Sequence, residues 1–179
     1  MEKAKIVFLK GGSNTGKSTT FRNLKKLKDK RGLLDNWVLI DHTELKEWFK
    51  KVENKRELQK EALFSVIKNC MKQKKSILLE EMSQKTARKY LKNYIKKLNY
   101  ELITFEFIVD DVNTSQLRDE QRVKNKEDKN QRKRLKKEFI AQNHEMHRSN
   151  LDKDCIFVNT SKLGKIQTVN FILKNLNLK

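Results

Sequence analysis

The chain has no proline and only five glycines in 179 residues. No Pro/Gly/Ser-rich linker and no internal repeat divides it. It therefore reads as one domain over residues 1–179, long enough for a real core. Cysteine is scarce too. Cys70 and Cys155 both sit in apolar runs, which excludes a disulfide framework and predicts buried thiols in a reducing compartment. No Cys/His cluster has zinc spacing. No apolar run approaches the length that spans a membrane. The N-terminus enters an apolar run at once, which predicts no signal peptide and a cytosolic protein. Arginine is sparse as well, at nine of the 42 basic residues. The net charge is nevertheless +19, a field that attracts nucleic acid. Its lysine-dominated make-up argues the other way, because arginine is favoured for bidentate phosphate and base contacts. Many Asn and Lys without Pro is also what AT-rich coding produces. No aromatic-rich strand resembles a base-stacking platform. A nucleic-acid partner stays open without being the favoured reading.

What is present is concentrated in one stretch, Gly11-Gly12-Ser13-Asn14-Thr15-Gly16-Lys17-Ser18. It fits G-x-x-x-x-G-K-[ST], the phosphate-binding loop. Ile6 to Leu9 before it form a short β-type run. Phe21, Leu24 and Leu27 after it share one helical face. The glycines let the backbone turn its N–H groups toward an anion, and the following helix adds the positive end of its dipole. Gly11 to Ser18, with Thr19 in the first helical turn, are thus the expected nucleotide-binding residues. Lys17 reaches the β- and γ-phosphates, and the Ser18 hydroxyl ligates Mg²⁺.

Short apolar strands alternate with helices along the rest. Strands are expected at Trp37–Ile40, Ser76–Leu79, Leu102–Val109 and Cys155–Val158. Helices are expected to about Lys28, after Asp41, over Arg56–Met71, Thr86–Asn99, Asn113 to about His147, and near Ile166–Leu176. In the second of these, Leu45, Trp48 and Phe49 follow helical spacing. In the third, Leu58, Ala62, Leu63, Val66, Ile67, Cys70 and Met71 are expected on one inward face. The architecture this predicts is α/β. It is a three-layer P-loop nucleoside-triphosphate hydrolase fold with a mostly parallel five-stranded sheet, flanked by helices and carrying a helical lid. Ligands in such sheets bind at the carboxyl ends of the strands. That rule gathers Gly11 to Ser18, Asp41, Glu80, Glu81, Asp110 and Asp111 onto one rim.

Phosphoryl transfer needs positioning, charge stabilisation and a group that accepts the hydroxyl proton. Asp41, directly after a strand, is the expected base, with Glu44 one helical turn on as the next choice. Asp41 can equally cap the helix that follows. Of Glu80 and Glu81, Glu81 is preferred as the Mg²⁺ ligand. A cap or an ion pair, for instance with Arg88, is the alternative for both. The segment from Gln116 to Arg134 is almost free of apolar residues. It reads either as a solvated helix pair or loop, or as a lid over about 113–136. In the lid reading Arg118 and Arg122 share a face and act on the transferring phosphate, and Arg132, with Arg134, closes over the nucleotide. His42, His144 and His147 have no partner at ligand spacing.

These residues resemble the chloramphenicol phosphotransferase-like group of small P-loop kinases, whose wider relatives include polynucleotide kinases and zeta-toxin-type kinases. The resemblance rests on the loop with its doubled glycine and serine, and on Asp41 after the second strand, where that family has its catalytic aspartate. It rests also on the acidic pair Glu80-Glu81 and on Ala141-Gln142, His147-Arg148 and Val158-Asn159-Thr160-Ser161 near the end. It implies ATP, Mg²⁺ and transfer of the γ-phosphate to a hydroxyl of a small molecule or nucleotide-like acceptor. Asn159 stands where the family has Asp, and the pair after the third strand is Glu rather than Asp. The Lys-rich region between the second and third strands matches no drug pocket, so chloramphenicol is not implied. Polynucleotide 5′-hydroxyl kinases carry an arginine shortly after the catalytic Asp. Here Glu44 stands there, with Lys46 as the substitute cation. Three readings follow: a small-molecule kinase, a kinase of RNA or DNA 5′-hydroxyls, and a non-catalytic nucleotide-binding module. An enclosed apolar pocket at Trp37, Trp48 or Phe49 would favour the first, and a basic groove leading to Asp41 the second.

Overall fold

The computed structural model describes residues 3–12, 14–32, 34–80, 82, 84–110, 112–124 and 155–178. In chain order these form β1 (Lys5–Gly11), α1 (Lys17–Arg31), β2 (Trp37–Ile40), α2 (His42–Trp48), α3 (Lys55–Lys72), β3 (Ser76–Glu80), α4 (Gln84–Lys97), β4 (Glu101–Ile108), α5 (Val112–Lys124), β5 (Cys155–Asn159) and α6 (Lys165–Asn175). The strands build one five-stranded sheet in the order β2-β3-β1-β4-β5. It is a parallel α/β sheet flanked by helices, as the alternation of the sequence predicts. Parallel strands are covered on both faces, so they read as unbroken apolar runs. β3 is buried along its whole length, and Ile6 to Leu9 of β1 are fully inaccessible.

The chain falls into two compact units. The first holds residues 1–10 and 25–104. Its core packs Ile6, Phe8, Ile77 and Leu79 of the sheet against Leu63, Phe64, Ile67 and Met71 of α3 and Ala87 and Leu91 of α4. The inward face of α3 is narrower than the sequence suggests. Leu63, Phe64, Ile67 and Met71 are buried, whereas Leu58 and Val66 are exposed. At about 100° per residue, Leu58 falls opposite the buried stripe and Val66 on its flank, while Phe64, not expected inside, falls within it. Trp48 is also turned out, 68% exposed, and α2 is anchored by Leu45 and the half-buried Phe49 instead. Cys70 and Cys155 are half-buried rather than buried. Desolvation pushes the Cys70 thiol up. The Tyr100 hydroxyl donates to Lys75 O at 2.8 Å and Met71 O at 3.3 Å, fastening the end of α3 to the start of β4. Burial disfavours its phenolate, pushing its pKa up to about 12.

Register in this unit aligns the strand ends. Ile40 pairs with Leu79, and Leu9 with Glu80. Lys10, Asp41 and Glu80 therefore lie at one edge of three parallel strands, where the chain passes from β1 into the glycine loop.

The second unit holds residues 11–24 and 105–179, of which 125–154 lie outside the described set. Phe105 and Phe107 of β4, Val158 of β5, Phe21 and Leu24 of α1, and Val169 and Ile172 of α6 are among its buried apolar residues. Thr160 N–H donates to Ile108 O at 3.1 Å, tying the exit of β5 to the end of β4. No helix among the described residues is long and apolar enough to cross a membrane.

Candidate functional site

The glycine loop is shaped by its own backbone needs and held from within. Gly11 has φ +145° and Gly16 φ +92°, values that side-chain-bearing residues rarely adopt. Gly11 is also enclosed: a Cβ there would lie 2.5 Å from Phe107 O and 2.9 Å from Phe107 Cβ. Asn14 takes φ 62°, a left-handed conformation that asparagine tolerates. Gly12 O accepts two bonds, from Lys17 Nζ at 2.7 Å and from Thr15 Oγ1 at 2.9 Å. Gly16 O accepts both the amide and the hydroxyl of Thr20, each at 3.0 Å. Thr15, Lys17 and Thr20 are buried beneath the loop, while Ser18 is exposed in the first turn of α1. That turn carries no acidic residue, so none of its own side chains neutralises the positive end of the helix dipole.

The same unit supplies a second layer. Arg118 of α5 donates Nη1 to Asn14 O at 3.1 Å and to Thr160 Oγ1 at 2.9 Å, and Nη2 to Thr160 O at 2.8 Å. Thr160 Oγ1 in turn donates to Thr15 O at 2.8 Å. Partial burial lowers the pKa of Arg118, although a guanidinium stays charged at any working pH. Beside this layer, Asn159 Nδ2 donates to Asp110 Oδ2 at 2.7 Å and Asn159 Oδ1 accepts from Ser161 N–H at 3.0 Å. Only an amide does both. An aspartate at 159 would set two carboxylates against each other, which gives the Asp-to-Asn departure a structural reason. The Asn159 hydrogen bond, with the Lys162 ammonium 3.4 Å away, holds the exposed Asp110 carboxyl below its usual range.

In the other unit, Asp41 Oδ1 accepts from Glu44 N–H at 3.3 Å, the geometry of an N-cap on α2. Glu44 and Arg88 are exposed, and Glu80 is buried at 2% exposure. Of the three aromatic residues, Trp37 is buried, Phe49 is half-buried and Trp48 is exposed. Ser13, Glu81, Asp111, Arg132, Arg134, His144 and His147 lie outside the described residues, as does the expected lid beyond residue 124. Arg122 belongs to α5, but its side chain and that of Lys46 are likewise outside the described set. No group of three His, Cys, Asp or Glu among the described residues is placed to hold a metal. Mg²⁺ in nucleotide enzymes needs no such cage, since one or two protein ligands and the substrate phosphates suffice. The exposed Ser18 hydroxyl at the helix start fits that mode.

The zeta toxin family model matches residues 1–163. The chain belongs to the zeta toxin family. No curated protein matches this zeta toxin family member significantly. Solved structures share its fold at low identity. The Deinococcus radiodurans tunicamycin resistance protein is 14% identical with a TM-score of 0.66, covering 99% of this chain and 98% of its own. A sugar kinase from Janibacter sp. HTCC2649 is 12% identical with a TM-score of 0.60, covering 98% and 95%. A gluconokinase from Sinorhizobium meliloti 1021 is 12% identical with a TM-score of 0.59, covering 99% and 94%. The fold is therefore that of P-loop kinases.

Sequence reasoning singled out the loop residue by residue. It did not find the role of Thr160, which entered only as part of a resemblance, nor the loop carbonyl that Arg118 contacts. The close approach at Gly11 yields a direct expectation. Gly11→Ala combines an unfavourable φ with a clash against backbone, and it should destabilise the protein by about 1–3 kcal/mol. Chemical denaturation measures it, and an unchanged midpoint would show that β4 gives way at Phe107.

Proposed function

We propose that this zeta toxin family member is an ATP- and Mg²⁺-dependent kinase that transfers the γ-phosphate to a hydroxyl of a small molecule or nucleotide-like acceptor. The observation that carries the reading is the internally bonded Gly11–Ser18 loop between β1 and α1, with Lys17 seated in it. In this reading the backbone N–H groups of residues 11–19 receive the phosphates and Lys17 spreads the charge of the transferring group. Asp41 accepts the proton as the acceptor oxygen forms its bond to phosphorus and the bond to the ADP oxygen breaks. Ser18 and Glu81 are the proposed Mg²⁺ ligands, and the ion would neutralise charge on the phosphate oxygens when bound. Arg122 and Arg132 are proposed phosphate contacts. Membership in the chloramphenicol phosphotransferase-like group is part of the same proposal. Fold relatives described as a sugar kinase and a gluconokinase support a small hydroxyl-bearing acceptor.

The test is a γ-phosphate transfer screen over metabolites, nucleosides, antibiotics and 5′-hydroxyl oligonucleotides. Transfer to a small acceptor is expected. ATP binding without transfer to any of them would favour the non-catalytic module. The +19 charge adds a second arm. Oligonucleotide binding is expected to be non-specific and salt-dependent, with Kd on the order of 10⁻⁴–10⁻⁶ M at physiological salt. Submicromolar, salt-resistant binding together with phosphate transfer to the oligonucleotide would replace the small-molecule reading by the polynucleotide one.

A further inference from the structure

We infer that Thr160 and Arg118 are positioning residues that hold the phosphate loop in its receiving shape before any nucleotide arrives. The inference deepens the kinase reading and rests on it only for its nucleotide arm. The bonds described inside the loop include those that converge on Gly12 O and Gly16 O, at the two glycine corners. Between the corners, the carbonyls of Asn14 and Thr15 are turned to the second layer. Arg118 Nη1 takes Asn14 O, and the Thr160 hydroxyl takes Thr15 O. The two bonds form one device, because Arg118 Nη1 also donates to the Thr160 oxygen. That hydroxyl accepts from the guanidinium and donates to the loop, with Thr15 O at 2.8 Å well nearer than its other acceptor, Ile108 O at 3.5 Å. The second fork of Arg118 fixes Thr160 through its carbonyl.

The consequence for the site is orientation. A peptide unit whose C=O is held on one side must present its N–H on the opposite side. Pinning the carbonyls of residues 14 and 15 therefore fixes where the N–H groups of residues 15 and 16 point. Those are the donors an anion needs preorganised. Arginine suits the task because its planar fork spans two acceptors, which a lysine ammonium on a flexible stem does not. Thr160 also approaches Gly16, where a Cβ would stand 3.5 Å from Thr160 Cγ2. Packing and hydrogen bonding are thus separable by substitution.

Thr160→Val keeps the shape and the methyl group beside Gly16 but removes the hydroxyl. Thr160→Ser keeps the hydroxyl and removes the methyl. Arg118→Lys keeps the charge without the fork. Backbone amide order parameters of residues 14–17 are measured in the free full-length protein, and KM for ATP and kcat in the transfer assay. The wild-type loop is expected near the rigid value of about 0.85, with Thr160→Val and Arg118→Lys falling toward about 0.6. KM for ATP should rise by roughly 3- to 10-fold in Thr160→Val while kcat changes less, as for a lost contribution to uniform binding. Thr160→Ser should restore both. A loop that stays rigid in Thr160→Val overturns the inference, and so does a Thr160→Ser variant that behaves like Val, since packing would then be the cause. If wild-type protein fails to bind ATP, the kinase reading fails while the order parameters still decide the brace.

Discussion

Asp41→Asn should lower turnover by about 10²–10⁴-fold while leaving stability and ATP affinity nearly unchanged. The structure makes this a clean substitution. Asp41 Oδ1 accepts the Glu44 N–H at 3.3 Å, and an asparagine oxygen accepts the same bond. The cap on α2 is therefore kept. What is lost is the ability to take a proton at neutral pH, which the proposed transfer to a hydroxyl requires. The two roles of Asp41, cap and base, are separated by this one change. Steady-state kinetics beside a denaturation curve measure both. Near-full activity in Asp41→Asn would leave the residue a cap only and move the search for the base to Glu44, in the same turn of α2.

Lys17→Ala should weaken ATP binding by about 1.5–3 kcal/mol, roughly 10- to 150-fold in Kd, because a charge-assisted contact to the phosphates disappears. Turnover should fall further, since the ammonium faces charge that grows in the transition state. The loop itself should survive. Gly12 O loses the Lys17 bond at 2.7 Å but keeps the Thr15 hydroxyl at 2.9 Å. Lys17→Met is the companion variant, since it retains most of the buried stem of a residue only 7% exposed. Calorimetric titration with ATP reads the binding effect. An affinity unchanged in both variants would remove the loop from the nucleotide site.

Much of the fold was legible because its signals are local. The strands from Ile6, Trp37, Ser76, Leu102 and Cys155 appear within a residue or two of where their apolar runs predict them. A strand buried on both faces has no polar side to disguise it. Helix faces were less legible. α3 carries more apolar residues than it buries, and both Val66, on the flank of the buried stripe, and Leu58, opposite it, are exposed. Periodicity says which residues share a face but not how wide the partner surface is.

The sequence by itself determined the phosphate loop. Its strained glycine conformations, the lysine folded back onto Gly12 O and the helix that starts at Lys17 all arise within eight consecutive residues. Backbone geometry at that range leaves little for distant residues to decide. Tertiary structure alone decided what holds the middle of the loop. Arg118 meets Asn14 across 104 residues, and Thr160 meets Thr15 across 145. No spacing rule connects such positions. They meet because β4 and β5 end together, with Thr160 N–H bonded to Ile108 O, and deliver α5 and the turn after β5 to the loop. A local pattern can encode a shape that binds phosphate. Which distant side chains steady that shape follows only from how the strands are ordered in the sheet.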